Sequence, residues 1–546
     1  MTSLELVNSS TFTLVALATL AWASFAILRR ALKRSPYNGI NGPPSTSILG
    51  YRLDVNNPDG FHWHAHMTEN YGHIVRLRGN VIQDDGLFIT DPKALQTILI
   101  REQKNFDETD ELRGGTNVST VSVSGKEHKN LRRIIDPAVT SANISKLFPV
   151  FYEIGDQFMN SIDVTAGEGS TNIDIIQFLS RSTLEFIGRG GLGHSFRSFE
   201  KDSAEYIIFH SAIHALFPTM TRLFFIFPFF ESWRNMRPVR LRKALYNAID
   251  YLPWPSARKF KHLIDTMHST YHDIYNDKKR AFEKGVLDED VKDMTSLSFK
   301  TNASLPESEK FSDQLVISSM SVLTLGGQET TTGALSRHIL MLAQHPEEQQ
   351  KIRDEIKGAA EALGRDFTYE ELNALPYLDC FVKEVLRLYP PVPFLWRTTK
   401  QDTIVPLEFP IENLGSNSTM DKILITKGTT ICIGIAAANR SSRIYGPNAH
   451  DFKPERWLQP DGGQLKTYGA YSNTYTFLAG SRACPGMRFA VIEIKLILFV
   501  LLRKYALSVT NDEIEWKMGG ITFTPYVKGD DIHPCAPVKL TRLPEH

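Results

Sequence analysis

From Ser312 to Gln344 apolar residues recur at helical spacing over about thirty positions, opening on Ser312-Asp313 and ending just before Pro346. Serine then aspartate supplies acceptors for the free amides of a first helical turn. A helix of this length is far beyond the usual three or four turns, so the core of the chain has to be wrapped around it. A second helix is expected over Glu347–Leu363, started by Pro346 and carrying charges on an exposed face. A last one follows Pro485, apolar from Phe489 to Leu502. Strand-like runs occupy Ile74–Leu77, Leu87–Ile89, Ile423–Ile425 and Thr430–Ile435, and Lys284–Lys310 reads as a polar loop. The expected fold class is mainly α with a small β portion.

Composition narrows the function. The 546 residues contain no Pro-rich or Gly/Ser linker and no internal repeat, so from about residue 50 they read as one large unit. Sixty-one basic and 61 acidic side chains cancel, which argues against nucleic acid as a partner. Four cysteines, none in a C-x-x-C pair, exclude a disulfide-framed module and a Cys-rich zinc fold. A mean hydropathy of −0.21 excludes a multi-spanning membrane protein but not a single anchor.

Such an anchor is expected at the N-terminus. Leu6 to Leu28 is a run of 23 residues without formal charge, about 30 Å long as a helix and enough to span a bilayer. Arg29, Arg30, Lys33 and Arg34 follow it, whereas Glu5 alone precedes it. The positive-inside rule places the body in the cytoplasm, with the short N-terminus across the membrane. A cleaved signal peptide ending near Ala21-Trp22-Ala23 is the competing reading, but its positive charge belongs before the apolar run. Asn8-Ser9-Ser10 is then a lumenal glycosylation sequon. Residues 1–34 form the anchor and its basic flank (span about 6–28), and 35–50 form a hinge around Gly42-Pro43-Pro44. The body is 51–546. Leu223–Phe230, with five phenylalanines in eight residues, is either core or a loop dipping into the same bilayer.

Two patterns lose on context. Gly188–Gly193 fits G-x-G-x-x-G, but Ile175–Ile187 before it has helical rather than strand spacing, so a glycine-rich helix end accounts for it better. His62, His64 and His66 could share a strand face and hold a metal. On a helix only His62 and His66 would share one, and no further ligand is placed to complete the set.

Phe477-Leu478-Ala479-Gly480-Ser481-Arg482-Ala483-Cys484-Pro485-Gly486 precedes the last apolar helix. A sulfur entering a helix N-terminus sits where the dipole and free amides stabilise a thiolate. The glycines let the loop approach a flat ligand, and Arg482 can pair with an anion. This chemistry fits thiolate ligation of haem iron by Cys484.

The segment resembles the haem-binding signature F-x-x-G-x-R-x-C-x-G of the cytochrome P450 family, and other motifs follow in the family's order. Glu384-Val385-Leu386-Arg387 resembles its E-x-x-R, and Pro454-Glu455-Arg456-Trp457 its P-E-R-W motif. The resemblance implies a structural Glu384–Arg387–Arg456 network. Gly326-Gly327-Gln328-Glu329-Thr330-Thr331 resembles the oxygen-activation motif, with Thr330 hydrogen-bonding dioxygen and Glu329 relaying protons. Gly125–Arg132 resembles the G-x-x-W-x-x-x-R helix with His128 in the tryptophan position. Pro390–Arg397 resembles the strand beside the haem. Arg132, Arg397 and Arg482, with His128, then become haem-propionate partners, while Phe477 and Gly486 frame the cysteine.

The resemblance further implies the cytochrome P450 fold behind one transmembrane helix, haem b as cofactor, and insertion of one atom of dioxygen into a lipophilic substrate. Electrons come from NADPH through a separate NADPH–cytochrome P450 reductase, with cytochrome b5 a further potential donor. Lys126, Lys129, Arg133 and Arg488 are docking charges or simply solvated faces. The setting is the endoplasmic reticulum membrane of a fungus, and the first substrate class is a terpenoid. Two other readings stay open: a haem-thiolate isomerase or dehydratase acting on peroxides without a reductase, and a non-enzymatic haem sensor or carrier.

Overall fold

The computed structural model describes residues 21, 24, 35–44, 50–57, 60–79, 84–109, 125–223, 226, 233, 236–285, 292–416, 418–459, 465–519 and 522–544. The expected anchor apart from residues 21 and 24, the Asn8 sequon, part of the hinge and most of Leu223–Phe230 lie outside them. Among the described residues no helix is long and apolar enough to cross a membrane.

The longer helices are α1 (Phe61–Tyr71), α2 (Gly125–Ile135), α3 (Ser141–Ala166), α4 (Ile175–Glu185), α5 (Ala204–Arg222) and α6 (Val239–Ala248). Then come α7 (Pro255–Glu283), α8 (Met294–Ser304), α9 (Asp313–Gln344), α10 (Pro346–Leu363), α11 (Pro376–Leu388) and α12 (Met487–Lys504). The strands are β1 (Ile74–Leu77), β2 (Gly86–Ile89), β3 (Phe106–Asp107), β4 (Ser170–Asp174), β5 (Phe394–Thr399) and β6 (Thr403–Asn413). β7 (Ser418–Ile425), β8 (Thr430–Gly434), β9 (Tyr505–Ser508), β10 (Ile514–Gly519), β11 (Thr522–Val527) and β12 (Pro537–Arg542) complete the set. A five-stranded sheet runs β1-β2-β8-β5-β3, and β2 and β8 are its parallel pair. A second sheet runs β4-β12-β9, and β6-β7 and β10-β11 are hairpins.

The long helix forms as its sequence dictates. The Ser312 side chain accepts from the Leu315 amide, and α9 runs 32 residues before His345-Pro346 stops it. It packs on α4, α7 and α12. Helix α12 is buried without a break from Val491 to Leu502. Lys495, in the middle of it, survives burial because Asp379 lies 2.7 Å away and Asn373 accepts twice from its ammonium.

The expected loop over Lys284–Lys310 is corrected by α8. Its polar letters hide a capped helix: Asp293 accepts from the Ser296 amide and Lys278 locks Asp293 from 2.6 Å away. Met294 and Phe299 are its apolar anchors, too few to show a period. The glycine-rich stretch does end a helix, as a wide turn over Phe186–Leu192 closed by left-handed Gly193. A side chain at Gly188 would begin 2.7 Å from the His194 carbonyl, so the glycine serves close packing. His62–His66 lie on α1, where His62 stacks on His66 while His64 turns inward, its Nε2 2.8 Å from the Val55 carbonyl. No metal-binding group of side chains occurs among the described residues.

Burial holds the imidazoles of His64, His73 and His338 down to about 4 from 6.5. Below pH 6.5 the unfolded chain takes up protons that the folded chain refuses. Stability should therefore fall as pH drops from about 6.5 towards about 4. The midpoint of urea unfolding measured across that range checks this; a flat midpoint contradicts it.

Candidate active site

The cysteine loop is built by backbone bonds. The Cys484 amide donates to the Phe477 carbonyl at 2.9 Å, and the Ala483 amide donates to Gly480 at 3.1 Å. Leu478 (φ 61°) and Gly480 (φ 70°) take left-handed conformations to make the fold-back. A side chain at Gly480 would begin 2.0 Å from the Leu99 carbonyl, which makes glycine obligatory there. Gly486 caps α12, so Cys484 stands two residues ahead of the helix N-terminus. Its side chain is exposed, although it heads a helix buried without a break from Val491 to Leu502. The surrounding protein pushes the thiol up, opposed by the Gly486 amide and by Arg132. The other cysteines are unlike it: Cys380 and Cys432 are buried and Cys535 is half-buried.

Donor side chains from three elements gather beside this loop. Arg132 of α2 donates to the Ala483 carbonyl at 2.9 Å and pairs with Asp136. Arg482 lies 3.5 Å from Asp107, and buried Arg397 of β5 lies 2.5 Å from Glu108. Lys400 joins Asp107 at 2.6 Å. Burial, reinforced by Arg482 and Arg132, holds His128 down to about 4, so its imidazole is neutral and has one N–H to give. Nothing in the sequence singled out Asp107 and Glu108; their role as partners of the arginines depends on β3 pairing with β5.

On α9, Thr330 donates to the Gly326 carbonyl at 2.6 Å. Gly326 is exposed in mid-helix, and nothing stands within 4 Å of where its side chain would begin. Open space thus reaches the centre of a helix that is otherwise packed. Glu329 meets His214 of α5, a partner the sequence did not reveal.

The expected network is assembled in full. Arg387 donates to both Glu384 oxygens, at 2.9 and 2.7 Å, and both side chains are completely buried. Arg456 reaches Glu384 at 3.5 Å, and the Trp457 indole donates to it at 2.9 Å. Arg387 also donates to the carbonyls of Asn439, Ala449 and Asp451. Every donor on a buried guanidinium needs such an acceptor.

These residues fit a haem. A lone exposed thiol at a helix head suits a soft metal, the arginine fork suits two propionates, and the space beside Gly326 admits a small ligand. The cytochrome P450 family model matches residues 40–526, and the chain belongs to that family of haem-thiolate monooxygenases. It is 32% identical to cytochrome P450 monooxygenase 212 of Postia placenta, over 95% of this chain and 96% of that one. It is 31% identical to the ganoderic acid synthetase of Ganoderma lucidum, over 98% and 99% of the two chains. A cytochrome P450 monooxygenase of Hericium erinaceus is 29% identical over 94% and 95%.

Proposed function

We propose that this chain is a membrane-anchored fungal monooxygenase that oxidises a lipophilic small molecule, with a terpenoid as the first class to test. The observation that carries the reading is the exposed Cys484 at the head of a long buried helix, beside Arg132 and Arg482. Haem b bound there supplies reductive activation of dioxygen. Cys484, framed by Phe477 and Gly486, would hold its iron through sulfur. Arg397 and Arg482, each facing a carboxylate of the chain, take the propionates with Arg132 and His128. Glu384, Arg387 and Arg456 keep the proximal fold rigid and take no part in the chemistry.

Thr330 and Glu329 supply the proton path. The Thr330 hydroxyl, parked on the Gly326 carbonyl, needs only a rotation about χ1 to offer its proton to a guest in the open space. Glu329 replaces that proton. The ganoderic acid synthetase among the relatives supports secondary metabolism as the setting. Electrons are drawn from NADPH through a separate NADPH–cytochrome P450 reductase, to which exposed Lys126, Lys129, Arg133 and Arg488 offer docking charges. Residues 1–34 hold the domain 51–546 to the endoplasmic reticulum membrane, with 35–50 as the hinge and the catalytic face in the cytoplasm.

Microsomes containing the chain and a reductase, supplied with NADPH and a terpenoid and sterol panel, test the reading. One substrate should gain an oxygen atom. Thr330→Ala should lower product per NADPH several-fold and raise hydrogen peroxide correspondingly. Rearrangement of a fatty-acid hydroperoxide without NADPH would favour the isomerase class instead. Indifference of function to Thr330→Ala would favour a haem sensor.

A further inference from the structure

Helix α5 faces α9 with His210 and His214, one turn apart, against two consecutive residues of the long helix. Nδ1 of His214 lies 3.0 Å from Oε1 of Glu329, an oxygen with no hydrogen-bond partner among the described residues apart from this contact. Nε2 of buried Gln328 donates to Nδ1 of His210 at 3.2 Å. The two imidazoles meet edge to face at 4.1 Å between centroids. Burial, aided by His214 and Arg181, holds His210 down to about 3, so it stays neutral and can only accept from Gln328. His214, about one-third exposed, is thus the imidazole that meets Glu329, which is 14% exposed. Tyr526 of β11 also faces Glu329, and Tyr206 stacks on His210. Burial raises both phenols, leaving them neutral. Arg181, over the Tyr206 ring, and Lys517, which acts on Tyr526, are cations near this crossing.

We infer that His214 is a positioning residue for the oxygen chemistry, holding the Glu329 carboxylate beside Thr330 and passing it protons from the solvent side of α5. The inference rests on the monooxygenase reading. The transfer is balanced and moves no electrons. The Nδ1–H imidazole takes a proton from a hydronium ion at Nε2 as its Nδ1 proton passes to Oε1 of Glu329, and the resulting Nε2–H tautomer returns to the starting form by proton exchange with water. A neutral residue at 214 would leave the carboxylate unheld and the acid refilled only by diffusing water.

The test uses the haem-loaded chain with a cytochrome P450 reductase and NADPH but no added substrate, so that no substrate has to be known. NADPH oxidised and hydrogen peroxide released are measured from about pH 5.5 to about 8.5, the span over which histidines change charge. His214→Ala should raise the peroxide share several-fold and flatten its pH profile. His214→Lys, which keeps a cation beside Glu329, should restore part of the loss. The spectrum of the reduced carbon monoxide complex should be unchanged in both. A wild-type peroxide share in His214→Ala, alongside a raised share in Glu329→Gln, would overturn the inference and leave the monooxygenase reading standing. So would a His214→Lys chain as defective as His214→Ala with an unaltered pH profile, since packing alone would then explain the loss. Absence of the thiolate-type spectrum from the wild-type chain would remove both readings together.

Discussion

Replacing Cys484 by alanine should abolish the thiolate-type Soret shift of the reduced carbon monoxide complex and with it all NADPH-dependent turnover. No other cysteine can take over. Burial, with Asp379 adding, pushes the Cys380 thiol up to about 11, and Cys432 is driven well above its ordinary value inside β8. Burial, with Asp174 adding, raises Cys535 to about 11. Burial raises Cys484 as well, but there the Gly486 amide and Arg132 oppose the rise. Arg132, Arg397 and Arg482 remain in Cys484→Ala, so some haem should still bind, with a spectrum lacking sulfur ligation. Absorption spectra of purified wild-type and variant chains decide this. A thiolate-type spectrum in the alanine variant would refute Cys484 as the ligand.

The second large effect is expected at Glu384. Glu384→Ala leaves Arg387 fully buried with neither carboxylate oxygen, and it strips the Arg456 guanidinium, the Trp457 indole and the Lys453 amide of an acceptor. Removing one partner of a buried ion pair costs about 3–5 kcal/mol, a large part of the 5–15 kcal/mol or so that holds a typical domain together. The urea midpoint should drop sharply and little carbon monoxide-reactive protein should accumulate. Glu384→Gln keeps one acceptor oxygen and should lose less. Arg387→Lys should behave like a deletion, because one ammonium cannot replace a planar fork that serves Glu384 and three carbonyls at once. A Glu384→Ala chain of wild-type stability would show that the three carbonyls alone satisfy Arg387.

What could be read from the sequence had its cause in local spacing. Ser312–Gln344 carries its own cap and stop, the cysteine loop carries its own turn residues, and Glu384 with Arg387 is an i, i+3 pair that any helix brings together. Strands over Ile74–Leu77 and Thr430–Gly434 were equally legible as short apolar runs. Helix α8 was not: its cap, Asp293, is local, but it is held by an ion pair with distant Lys278, and its buried face is mostly serine and threonine. Asp107, Glu108 and His214 stayed hidden for a different reason. Each matters through a residue far away in the chain, Arg482, Arg397 and Glu329 respectively, and no periodicity records such a meeting.

The anchoring of Arg387 on main-chain carbonyls has a consequence for how this part of the protein can vary. Asn439, Ala449 and Asp451 contribute oxygens that every amino acid possesses, so a substitution there leaves each bond in place. The bonds depend on register. Inserting or deleting a single residue between 439 and 451 would shift the later carbonyls out of reach of a guanidinium that has no water to turn to. For the Arg387 bonds, then, the length of this stretch matters more than which residues stand at 439, 449 and 451.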